Sequence, residues 1–118
     1  MLIAVQQWNQ CSPDPVACRS ALNRIEILTT SFGSLYWNIG TDGKQQQVPV
    51  PHCLAQADAE VTQAVAQFRK GTAAGFNAYD DGLPQFLPSA VDSIKEATRH
   101  LEAAETQIQL RSNGSLFL

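Results

Sequence analysis

Between residues 50 and 111 apolar side chains recur every three or four positions, with a single break, and no other feature constrains the fold of this chain as much. Leu54, Ala57, Val61, Ala64 or Val65, and Phe68 make one stripe, while Glu60, Gln63, Gln67 and Arg69 fall outside it. Val91, Ile94, Thr98, Leu101, Ala104 or Glu105, and Ile108 make a second stripe. Asp80, Asp81, Gly82 and Pro84 separate the two. A 3.6-residue period predicts two long amphipathic helices that fold back on each other across that break.

The weak point of the first helix is Gly71 and Gly75, because each interior glycine costs about 1 kcal/mol relative to alanine. The phase nevertheless continues through Thr72 and Phe76 to Tyr79, so we read the helix as running over 51–79. Its small residues then mark a place where another backbone comes close. Pro51 suits a first helical turn, which has no use for its missing amide donor. The second helix is expected over 89–112, with Ser89 and Asp92 as a capping pair and Asn113-Gly114 as the stop. Asp92–Lys95, Glu96–Arg99 and Arg99–Glu102 are spaced for pairing along its outer face. Residues 115–118 form an apolar tail.

Upstream, Asp14 and Pro15 carry a helix start, a side-chain cap followed by a first-turn proline. Ala17, Ala21, Ile25, Leu28 and Phe32 continue it as a stripe up to Gly33, predicting a helix over 15–32. Residues 2–9 read as a short helix or docked arm anchored by Trp8. Leu35 to Ile39 are aromatic and branched, Asp42-Gly43 is turn chemistry, and Pro49 limits any return strand to an edge. The 34–50 stretch is thus either a β-hairpin or an open loop. The fold class is mainly α: an antiparallel bundle of three principal helices, about 15–32, 51–79 and 89–112, in a single domain over 1–118 with that insertion at 34–50. A chain of 118 residues is long enough to bury a core without a metal or disulfide staple.

Charge excludes several function classes. The net charge is -3 and the basic residues are scattered, so a nucleic-acid surface and a membrane-surface role are disfavoured. No apolar run reaches the roughly 18 residues of a membrane span. Residues 1–5 are too short and lack the basic leader of a signal peptide, which makes the chain cytoplasmic on the simplest reading, with a mature secreted form as the alternative. An odd count of three cysteines with no leader favours reduced thiols. In an oxidising compartment Cys11–Cys18 would staple the turn at Pro13 and Pro15, whereas Cys18–Cys53 would tie two helices.

No cofactor, metal or catalytic set is assigned. Zinc takes four ligands at paired short spacings, and Cys11, Cys18, His52 and Cys53 do not offer them. Neighbours on a helix point about 100° apart, so His52 and Cys53 are poorly placed as a nucleophilic pair. A di-iron bundle needs two Glu-x-x-His motifs, but Glu96 and His100 are four apart and there is no second copy. Haem through His52 or His100 lacks a Cys-x-x-Cys-His attachment, and both histidines read as surface residues. Gly71 and Gly75 lack the Lys-Ser/Thr of a phosphate loop.

The interaction or ligand candidates are aromatic: Tyr36, Trp37, Phe76, Tyr79, Phe86 and Phe117 gather at predicted helix ends and connections. Their plain role is to close the ends of the core. Their functional role would be an apolar patch for a protein or small ligand. The first expectation is a non-enzymatic protein–protein interaction module: an adaptor, an inhibitor or an assembly subunit, with a homodimer among its forms. The second is a small-ligand binding or sensing domain with an aromatic-lined pocket between helices. A small enzyme built on Asp80, Asp81, His52 or His100 ranks last.

Overall fold

The structure is a computed structural model that describes the backbone of residues 1–34, 37–39, 45–47 and 52–117, and the side chains of 1–31 and 52–110. It is mainly helical. Four α-helices are described: α1 (Leu2–Asn9), α2 (Pro15–Ser34), α3 (Ala55–Asp80) and α4 (Leu87–Phe117). At 1.5 Å per residue a 31-residue α4 is about 46 Å long, and it sets the longest dimension, 51 Å. The thinnest dimension is 18 Å, room for two layers of helices.

The start of α2 follows from its capping chemistry. Asp14 Oδ1 accepts from the amides of Val16 at 3.0 Å and Ala17 at 3.3 Å, and Pro15 opens the helix. Between α2 and α3, strands β1 (Trp37–Ile39) and β2 (Gln45–Gln47) pair antiparallel with Trp37 opposite Gln47. The rest of the 34–50 stretch, including the turn expected at Asp42-Gly43, lies outside the described residues, as does Pro51. The helix expected from 51 begins instead with a 3-10 turn, His52–Leu54, and becomes α-helical at Ala55.

α3 runs unbroken through both glycines to Asp80. A Cβ on Gly71 would sit 3.3 Å from the Ala90 carbonyl oxygen and 2.8 Å from Ile94, so α4 packs directly on this backbone. A Cβ on Gly75 would meet Leu22 of α2 at 2.5 Å. The buried residues Ala57, Ala64, Gly71 and Ala78 recur every seven positions on α3, and Ala90, Ala97 and Ala104 do so on α4. Two seams of small residues thus face each other, and their close contact offsets the poor helix propensity of glycine. Gly82, at φ +68°, then turns the chain, and the Leu83 amide donates back to the Asn77 carbonyl at 3.3 Å.

The core joins all four helices, with Val5 and Trp8 from α1, Leu22 and Ile25 from α2, Phe68 from α3 and Ile94 from α4. Three expectations for α4 need correction. A 3-10 turn at Pro84–Phe86 leads straight into the helix at Leu87, so Ser89 lies inside it and does not cap it. The helix passes through Asn113-Gly114 to Phe117, because propagating an established helix costs only about 1 kcal/mol at a glycine. Of the three expected surface pairs only Glu96–Arg99 forms, at 3.2 Å; among the described residues Asp92–Lys95 and Arg99–Glu102 do not.

Candidate functional site

The amino-terminal end of α2 is held by cross-links of several kinds. Cys11 and Cys18 are joined as a disulfide, their Cα atoms 4.9 Å apart, which corrects the expectation of reduced thiols. The physical reason is local: the Asp14 cap folds 11–18 into one tight turn, and the Asp14 amide donates to the Cys11 carbonyl at 2.8 Å. Cys53 is free and exposed. Directly after Cys18 on α2, Arg19 forks onto Asp80, Nε to Oδ1 at 2.8 Å and Nη2 to Oδ2 at 3.1 Å. Its guanidinium also lies 4.4 Å from the Phe76 ring centroid. The hydrogen bond to Asp80 raises the Arg19 pKa above its ordinary value. Tyr79 stands edge-on to Trp8, centroids 6.3 Å apart at 84°, and burial raises its phenol pKa.

The disulfide and the Trp8–Tyr79 pair line a groove of about 640 Å³. Trp8, Tyr79, Leu87 and Val91 supply its apolar surface, and Lys95 stands at its rim. At the far end of α1 a second, shallower groove of about 490 Å³ runs between α1 and α4. Leu2, Ile3 and Ile108 line it while remaining exposed (41, 67 and 46%), and Val61 and Leu101 are half-buried at its base. Both grooves flank α1, because Leu2 and Ile3 lie beside the carboxyl-terminal part of α4 and Trp8 beside its start.

His100 is half-buried, which corrects its reading as a plain surface histidine. Its Nδ1 lies 2.5 Å from Glu60 of α3 and its Nε2 lies 3.4 Å from Glu96. Glu60, expected outside the α3 stripe, is half-buried for the same reason. Both ring nitrogens face a carboxylate, so neither is open to a substrate, and the trio fastens α3 to α4. Among the described residues no group of three or more His, Cys, Asp and Glu side chains is arranged to hold a metal.

Of the six aromatic candidates, Phe76 and Tyr79 come to the disulfide end. Phe76 is engaged by Arg19, and Tyr79 lines the larger groove. Phe86 is exposed on the α3–α4 connection. The side chains of Tyr36, Trp37 and Phe117 lie outside the described residues. The roles of four further residues were not read from the sequence. Trp8 was visible as an anchor, but its partner on α3 was not. Lys95 was assigned to Asp92. Leu2 and Ile3 were read only as part of the short apolar segment at 2–9.

Among the described residues no helix is long and apolar enough to cross a membrane. Compared with protein-family models, with curated proteins and with solved structures, the chain matches none.

Proposed function

We propose that this chain is a non-enzymatic interaction module, a single domain whose principal helices α2, α3 and α4 form a frame with the 34–50 stretch as an insertion. The observation that carries this reading is the exposed apolar surface of Leu2, Ile3 and Ile108 over the groove between α1 and α4. Single exposed apolar side chains are ordinary, but three lining one shallow groove favour a covering partner. That partner is an apolar protein surface, either a second copy of this chain in a homodimer or another protein for which it serves as adaptor, inhibitor or assembly subunit.

Light scattering with native mass spectrometry tests this reading. The wild type should retain a second chain, and Ile3→Asp or Ile108→Asp should release it without loss of helix, because both positions are solvent-exposed. A wild type that stays monomeric and carries no other chain overturns it. The second reading, a small-ligand binder, is favoured by the deeper groove beside the disulfide. That disulfide also favours the secreted alternative over a cytoplasmic one, since cytosolic thiols are kept reduced.

A further inference from the structure

We infer that the groove beside the disulfide binds a small amphipathic monocarboxylate, a hydrocarbon or aryl body with one anionic head, and that Lys95 takes the head. This inference rests on the ligand-binding reading of that groove. Its volume, about 640 Å³, falls within the range of small-molecule sites. Trp8 and Tyr79 stand nearly perpendicular, so they offer two ring surfaces at an angle, with Leu87 and Val91 opposite. Such mainly apolar walls accept an alkyl chain or a single ring.

The charge pattern selects the head. Lys95 lies one helical turn beyond Val91 on the same face of α4, and it lines the groove while remaining exposed. Among the described residues no ion pair engages Lys95, and no carboxylate lines the groove. The lysine stem packs along the wall while its head stays hydrated, which suits a carboxylate held at the rim. The Asn9 amide and the Ser12 hydroxyl, also in the lining, can donate to the same head. A dianion is disfavoured, because Lys95 is the one cation of this lining and also borders an adjoining hollow that contains the Glu102 carboxylate.

Octanoate, 1-octanol and octyl phosphate, each titrated into the full disulfide-bonded chain and followed by backbone amide chemical shifts, test this. Octanoate should bind about five-fold more tightly than octanol, the size expected of one solvent-exposed charge contact. Lys95→Gln should remove that preference, bringing octanoate down to the affinity of octanol. Val91→Asp should weaken both ligands. Equal binding of octanoate and octanol by the wild type overturns the anion selection while leaving a ligand groove. Tighter binding of octyl phosphate overturns the single-charge head. If none of the three ligands binds, the ligand-binding reading falls together with the inference.

Discussion

The two ends of α1 meet the same neighbouring helix, α4, in opposite ways. At its carboxyl end Trp8 is buried at 6% exposure, set edge-on against Tyr79 and lining one groove with the Cys11–Cys18 bridge. Next to it Arg19 is forked onto Asp80 over the Phe76 ring. At its amino end Ile3 is 67% exposed, and Leu2 and Ile108 line a shallow trough with nothing over them among the described residues. Covalent, charge-assisted and aromatic contacts converge on one end, while the other exposes apolar side chains among the described residues. A bundle this small gains most from fixing one end of its shortest helix, because an eight-residue helix has little stability of its own.

The sharpest test of that contrast uses two residues of one helix. Trp8→Ala should cost about 3–5 kcal/mol, the range for removing a buried large aromatic. Ile3→Ala should change stability by no more than about 0.5 kcal/mol. Urea unfolding of both variants in monomeric conditions decides it. A large loss at Ile3 would mean that the amino end of α1 is core, and the contrast between the ends would collapse.

The disulfide is the next largest contribution at the closed end. It spans a sequence separation of 7. Loop-closure entropy for so short a ring is worth about 2.5 kcal/mol. A Cys11→Ser, Cys18→Ser variant should lose about that much, with hydrogen exchange rising in α1 and the first turns of α2 before α3 and α4. Uniform acceleration through all four helices would show that the bridge supports the whole fold and not one end.

The helices were legible because hydropathy repeats along them. Ile25 and Leu28, Phe68 and Thr72, and Ile94 and Leu101 all fall on the inward faces that the spacing marks. The α3–α4 seam was only half legible. Ala57, Ala64, Gly71 and Ala78 carry little hydropathy, so their seven-residue repeat is quiet in a pattern read from large apolar residues. Gly71 and Gly75 did announce a close approach, and the carbonyl of Ala90 and the side chain of Leu22 supply it. The clasp of His100 on Glu60 was illegible, because the two lie 40 residues apart and only the pairing of α3 with α4 brings them together. The same holds for Trp8 with Tyr79. The bridge between Cys11 and Cys18 was visible as a geometric option at Pro13 and Pro15. The sequence carries no direct record of the redox compartment that decides it.

The smallest effect separates the ends by pH. Burial raises the Tyr79 phenol pKa, so the folded protein holds this proton more tightly than the unfolded chain. The unfolded phenol ionises first, near its ordinary value of about 10. Stability tied to Tyr79 is therefore fully present below about pH 10 and falls as pH rises from there toward the raised folded-state value. Tyr79→Phe removes this linkage while keeping the ring edge-on to Trp8. The difference in urea midpoint between wild type and Tyr79→Phe should be constant from about pH 7 to about pH 9. It should then move against the wild type by about pH 11. A difference that stays flat across the whole range would mean that the Tyr79 hydroxyl reaches open water, and that the closed end is less closed than its contacts imply.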